Sequence, residues 1–345
     1  MNETKEQVIL DAAQSQRRDS IRRFRRAERA RSILQNAGIG IPFVLIFALC
    51  FIAVPNFSSK ANLTNLVVNS GILALVGFGM TIIIAMRGID LSVGSAQALI
   101  ACSVALAVNE AGFVLGGLIG LGIGLVLGIF NGLIITALKV PDFIATLSTM
   151  SIFRGAVLLL TAGAPIMIES QSFRNFAPSH LLFLPQPFVV AVLAGAAAWL
   201  IMNDTSFGKH IVAVGTNPSA AKDNGISVKK VIVCGYALAG IFSGIAGILI
   251  ASQLGVVNGS ISTGLELQTI AIVVLGGTSM VGGRPRMLGT FVAAVLLSTI
   301  NSGLNLLNVP SFYQYVALGA LLIFALGVDS AQRAAVKKLL YGRGK

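Results

Sequence analysis

The sequence predicts an all-α integral membrane protein, a polytopic bundle of about ten transmembrane helices with both termini cytoplasmic. Three observations carry that expectation. Of the 345 residues, 55% are hydrophobic and only 11% charged, with a mean hydropathy of +0.86, whereas soluble domains carry about 25% charged residues. Apolar runs separated by short polar stretches recur from about residue 38 to about residue 328, and one bilayer crossing takes roughly 20 apolar residues. Basic residues collect at alternate connections. Nine (Lys5, Arg17, Arg18, Arg22, Arg23, Arg25, Arg26, Arg29 and Arg31) precede the first apolar run, and five (Arg333, Lys337, Lys338, Arg343 and Lys345) follow the last. With the N-terminal cluster inside, only Lys60 and Arg174 fall outside and Arg154 within a span, which satisfies the bias of cytoplasmic flanks toward Lys and Arg.

The elements follow in order. Residues 1–37 read as a cytoplasmic basic extension. The net charge of +12 invites a nucleic-acid reading, but only Phe24 is available there for base stacking. Orientation and anchoring on anionic lipid fit better, and no nucleic-acid partner is expected. Acidic and basic residues mix over more than thirty positions before Ile39, unlike a cleaved signal peptide, so the first apolar run is expected to be retained. Spans are predicted near 38–55, 66–86, 93–109, 112–138, 143–162, 186–203, 230–253, 266–283, 287–307 and 312–328, within a transmembrane domain over 38–329. Residues 330–345 form a cytoplasmic basic tail.

Within 112–128, Gly112, Gly116, Gly120, Gly124 and Gly128 recur at every fourth position, a small-residue stripe that lets helices approach closely. A dinucleotide fingerprint is excluded because it needs a strand-to-helix turn and a later acidic residue. Two connections are long. Residues 163–186, with three of the ten prolines and several aromatics, read equally as an extracytoplasmic docking surface or a plain irregular loop. The cytoplasmic loop over about 204–230 carries a short helix, with Asn217 as N-cap, Pro218 at the first position and Gly225 as a left-handed stop.

Hydrolytic chemistry lacks its parts. The two histidines, His180 and His210, fall on opposite sides of the predicted membrane, and no GxSxG or HExxH occurs. The glycine-rich stretch 276–289 has Gly283 and Arg284 where a phosphate loop needs Lys-Ser/Thr. Cys50, Cys102 and Cys234 are scattered through apolar runs, so neither a disulfide framework nor a metal site is expected.

Polar residues inside apolar runs are the functional candidates, because they are costly there. Arg87 to Ser95 interrupts two runs, and Arg87 and Asp90 have the spacing to pair if helical. Asp90 reads either as a cap of the next helix or as part of a broken helix, with Ser92 and Ser95, whose backbone and hydroxyls line a polar path. Asn131, Asn301, Asn305 and Arg154 read either as links between helices or as walls of such a path.

Several blocks together resemble the permease subunit of bacterial ABC importers of the ribose/galactose (monosaccharide) type, over about residues 60–330. They are Gly88-Ile89-Asp90-Leu91-Ser92-Val93-Gly94-Ser95; Asn131-Gly132-Leu133 with Val140-Pro141; Phe143 to Leu147 leading to Arg154-Gly155; Gly208 to Ile226 with Gly215, Asn217, Ala220 and Ala221; Gly276-Gly277-Thr278-Ser279 with Gly282-Gly283; and Asn301 to Leu307. The resemblance implies a multi-pass inner-membrane protein that takes up a monosaccharide or related polyol by alternating access. It implies a second permease subunit, two cytoplasmic ATPase subunits and an extracytoplasmic sugar-binding protein. No cofactor is expected on this chain, ATP being hydrolysed by the partner. Translocation-path candidates are then Asp90, Ser92, Ser95, Asn131, Arg154, Thr278, Asn301 and Asn305; the ATPase-coupling loop is represented by Gly215, Asn217, Pro218, Ala220, Ala221 and Gly225. The chain departs from the family pattern in having Arg87 before Gly88, where two glycines are frequent, and Leu267-Gln268-Thr269-Ile270-Ala271 in place of Leu-Asp-Ala-Ile-Ala. The alternatives are a branched-chain amino-acid-type ABC permease and an ion-coupled secondary transporter; the second needs coupling carboxylates, and these are scarce.

Overall fold

The computed structural model describes residues 39–327 apart from 182, 321, 324 and 325; the predicted basic extension and C-terminal tail lie outside the described residues. The chain is built from α-helices, named in order α1 (Ile39–Ala53), α2 (Lys60–Ala85), α3 (Val93–Leu138), α4 (Asp142–Thr161), α5 (Gln171–Arg174), α6 (Gln186–Asp204), α7 (Ser206–Thr216), α8 (Pro218–Asp223), α9 (Val228–Leu254), α10 (Leu265–Leu275) and α11 (Met287–Leu306). Residues 311–320 are also helical. Six of these (α2, α3, α4, α6, α9 and α11) are long and apolar enough to cross a membrane.

Helix α2 is the axis of the bundle. Every residue from Gly71 to Met86 is buried, as expected of a helix that is apolar all round. Its glycines set the spacing to its neighbours: a Cβ at Gly71 would stand 2.7 Å from Pro187 O of α6, one at Gly79 3.0 Å from Ala239 of α9, and one at Gly77 within 2.8 Å of Ile272 of α10 and Thr290 of α11. Phe78 meets Phe242 edge-on and stacks on Phe291 at 6.4 Å. The outer surfaces of α1, the second half of α3, α4 and α6 instead expose large apolar side chains such as Val44, Leu118, Leu159 and Leu193, the surface a lipid environment covers without cost.

Helix α3 is two helices. At Gly112 φ is 84° and ψ 177°, a conformation open to glycine alone, and the chain folds back on itself there, so the separately predicted runs 93–109 and 112–138 form a hairpin. Gly116 packs on Val108 and Gly120 on Val104, an antiparallel register. Further along, Gly124 and Gly128 press on Gly240, Gly244 and Tyr236 of α9, where a Cβ would collide with backbone carbonyls. The stripe of glycines is a packing seam.

Three expectations need correction. The predicted span 266–283 is helical only as α10, 11 residues or about 16 Å, half a bilayer core of about 30 Å. Gly264 (φ 82°) starts it and Gly277 (φ 86°) follows its end, and apolar composition alone does not register such breaks. The predicted cytoplasmic loop 204–230 holds two helices, since Thr205 caps α7 by accepting from Gly208 N at 3.2 Å. The connection 163–186 is ordered by a two-residue pairing of Ile166–Met167 (β1) with Val256–Val257, by α5, and by a hairpin of His180–Leu181 (β2) and Leu184–Pro185 (β3); Val256–Val257 is β4.

Candidate functional site

Between α2 and α3 the chain leaves helical geometry over residues 86–92. The loop closes around Asp90, which is buried. Its Oδ1 accepts from Ser92 N at 2.8 Å and from Ser92 Oγ at 2.6 Å, and Ser92 Oγ in turn accepts from Asn131 Nδ2 at 2.8 Å. Ser95 Oγ donates back to Ser92 O at 2.8 Å. The other edge is pinned at Ile89 O, which accepts from Thr146 Oγ1 at 3.0 Å and Tyr236 OH at 3.3 Å. Gly88 permits this, because a Cβ there would sit 2.6 Å from Asp142 Oδ2 and 3.0 Å from Tyr236 OH. A buried carboxylate is tolerated only when its oxygens are bonded, and here the bonds hold one loop to three helices.

The hairpin of α3 gives the depth of this loop. The same register that puts Gly116 on Val108 and Gly120 on Val104 puts Ser92 beside Asn131. Asn131 precedes Leu138, the end of the helix, by seven residues or about 10 Å. Non-helical backbone therefore climbs into the bundle from its α8 end, buried in protein as such backbone must be. Asp90 does not cap α3, whose N-cap is Ser92 with no side-chain bond; it closes a turn onto Ser92 instead.

Arg87 does not pair with Asp90, because the residues between them are not helical. It stands at φ 69° and reaches sideways, Nε donating to Gly215 O and an Nη to Thr216 O, both at 2.5 Å. These are carbonyls of the last turn of α7, which has no residues left to bond them and carries partial negative charge. Gly283 N donates to Ala85 O at 2.8 Å, and a Cβ at Gly215 would collide with Ala85 O. The C-terminal ends of α2 and α7 and the turn at Gly282-Gly283 thus meet in one joint with no room for side chains.

Beyond the joint lies α8. Asn217 Oδ1 accepts from Ser219 N and Ala220 N, each at 3.1 Å, and Pro218 is the first helical residue. The helix ends where Gly225 (φ 81°) donates to Lys222 O and Ile226 N to Ala221 O, the paired bonds of a Schellman stop. Ala221 is its one buried residue; Pro218, Ser219 and Ala220 are exposed.

The remaining candidates are dispersed. Arg154, half-buried on α4, donates to Gly259 O and, at 3.2 Å, to Ile261 O. Thr278 Oγ1 accepts from Arg286 N at 3.0 Å and pins the glycine-rich turn. Asn301 is half-buried on α11, and exposed Asn305 accepts from Gln314 at 2.8 Å. Only Asp90, Ser92, Ser95 and Asn131 are brought together. Tyr236 and Gln97, whose Oε1 accepts from Ser262 Oγ at 2.5 Å, were not signalled, since a tyrosine or a glutamine in an apolar run has no motif; Thr146 falls in the Phe143–Leu147 block but was not singled out there. Among the described residues no three His, Cys, Asp or Glu side chains gather to hold a metal.

Six helices long and apolar enough to cross a membrane, packed around the buried α2, define a helical membrane protein. The particular family follows from comparison. Residues 62–326 match the family described as branched-chain amino acid transport system / permease component, and the chain belongs to it. It is 41% identical over 88% of its length to the ribose import permease protein RbsC of Bacillus subtilis, covering 95% of that protein. With RbsC of Escherichia coli K12 the identity is 34%, covering 85% of this chain and 93% of that one. With the autoinducer 2 import system permease protein LsrC of Yersinia pseudotuberculosis (strain YPIII) it is 34%, covering 86% and 85%. No solved structure matches the chain.

Proposed function

We propose that this chain is the permease subunit of a bacterial ABC importer for a monosaccharide or related polyol, a multi-pass inner-membrane protein of about ten spans with both termini cytoplasmic. One observation carries the reading: near-full-length similarity, at 41% identity, to a protein named for ribose import. The family description speaks of branched-chain amino acids, but the similar proteins are named for ribose and autoinducer 2 import, which favours the sugar. Two permease subunits, two ATPase subunits and a substrate-binding protein complete the machine. ATP is hydrolysed by the partner, and this chain performs no covalent chemistry.

The geometry supports a route for coupling. Helix α8 is the exposed element that meets the ATPase, and the joint of Arg87, Gly215 and Gly283 stands between it and the broken-helix loop. A rigid shift of α7 and α8 pulls on the two carbonyls that Arg87 holds, and so on the loop whose other end is fastened through Asp90 and Ser92 to Asn131. Such a shift moves the balance between inward- and outward-open states.

The test is uptake of labelled ribose, a hexose panel and leucine by proteoliposomes holding this chain with its ATPase. Sugar uptake that needs both ATP and the binding protein is the expected result. Leucine uptake under the same conditions overturns the substrate class, and uptake driven by an ion gradient without ATP overturns the importer.

A further inference from the structure

The connection from α9 to α10 crosses the interior without a helix. After β4 pairs with β1, residues 258–264 run toward α10 in irregular conformation. Their depth is fixed by three contacts. Gly259 lies against Leu158, a Cβ there standing 2.8 Å from its Cδ2, and near the end of α4 at Thr161. The carbonyls of Gly259 and Ile261 accept from Arg154, well within α4. Ser262 bonds Gln97, and its carbonyl would lie 2.5 Å from a Cβ on Gly94, in the first turn of α3. The segment therefore spans from near one end of α4 to the level of the Asp90 loop, and α10 completes the crossing.

One side of this segment is closed. Gly259 and Gly264 are buried, and Gln97 behind Ser262 is buried with its Nε2 unpartnered. The other side is open: Asn258, Ser260 and Thr263 are exposed. Irregular backbone and polar side chains at this depth do not face hydrocarbon; they are covered by protein or border water. The open edge carries hydroxyl and amide groups and no ionised one. Asn258 Oδ1 accepts from Ser260 N at 2.8 Å and Thr263 Oγ1 donates to Ser260 O at 2.7 Å, which leaves the Asn258 amide protons and the Ser260 hydroxyl for a ligand.

We propose that residues 258–264 form a wall of the translocation path running from near the end of α4 to the level of the Asp90 loop, where Asn258, Ser260 and Thr263 exchange hydrogen bonds with a neutral polyhydroxylated substrate. Neutral donors and acceptors hold such a ligand less tightly than ionised ones, which is what passage requires. The assignment rests on the importer reading above.

The test uses the whole transporter in proteoliposomes, with Cys234→Ser removing the exposed cysteine and leaving the buried Cys50 and Cys102. Ser260→Cys and Thr263→Cys are each treated with a charged, water-soluble methanethiosulfonate; Leu193→Cys, exposed on the outer face of α6, is the lipid-facing control. Both path cysteines are expected to react, with rates that change several-fold when ATP and vanadate trap the complex, and their modification is expected to stop ribose uptake. Reactivity as low as that of Leu193→Cys in every state means that a partner or lipid covers the segment and overturns the proposal. Reaction at a rate indifferent to nucleotide, with uptake intact, overturns it too. Uptake of ribose and of the hexose panel by the unmodified complex is measured in parallel, and the absence of both defeats the importer reading separately.

Discussion

Asp90 and Arg87, three residues apart, illustrate how one loop divides its tasks. Asp90 is turned inward and satisfies Ser92 twice. Asp90→Ala leaves a buried N–H and a hydroxyl without their acceptor, a loss of about 1–3 kcal/mol, and is expected to lower the melting temperature of the purified protein, whereas Asp90→Asn keeps one acceptor oxygen and loses less. Arg87 points outward to α7 and occupies a left-handed conformation that costs a non-glycine residue about 1–2 kcal/mol. Arg87→Gly removes both that strain and the two bonds to α7, so the protein level is expected to hold while sugar uptake per ATP hydrolysed falls about tenfold or more, the rate equivalent of one charge-assisted bond of about 1.5 kcal/mol. Unchanged coupling in that variant assigns Arg87 to surface contact alone. The motif around Asp90 was legible because charged and glycine residues interrupt an apolar run; the partners of Arg87 were not, since Gly215 and Thr216 lie 128 and 129 positions away and contribute only backbone oxygens.

Helix α8 was legible in full because its ends are made by local chemistry: Asn217, Pro218 and Gly225 all act within the nine residues 217–225. Helix α7 beside it was not, because its start at Thr205 lacks a second cap signal and its small, mixed residues show no strong apolar run. Replacing residues 217–225 with a flexible Gly/Ser stretch is expected to leave membrane insertion intact and to abolish uptake; uptake that survives with normal ATPase association removes the coupling role. Helix α10 taught the opposite lesson. Its apolar sequence continues smoothly through a turn at Gly276-Gly277, so a hydropathy window reads one span where the structure has a half-length helix preceded by irregular chain.

For the whole molecule, the charge distribution predicts sidedness and the structure separates the surfaces that report it. The β2–β3 turn with exposed Phe183 and the exposed helix α8 lie on opposite flanks of α6, which is 19 residues long. In a Cys234→Ser background, an impermeant thiol reagent added to intact cells is expected to label Phe183→Cys and to spare Ser219→Cys; labelling of both, or of Ser219→Cys alone, overturns the orientation. The sequence by itself determined that the chain is a helical membrane protein, where most of its helices run, the short capped helix α8, and the permease family. Those properties rest on composition, period and caps, which act over a few residues. The tertiary structure alone decided which polar groups meet, that α3 is a hairpin with Ser92 level with Asn131, and that Asn258, Ser260 and Thr263 are exposed while Arg154 is tied to carbonyls. These depend on contacts between residues far apart in the chain, where a glycine or a backbone oxygen counts as much as any charged side chain and leaves no local pattern.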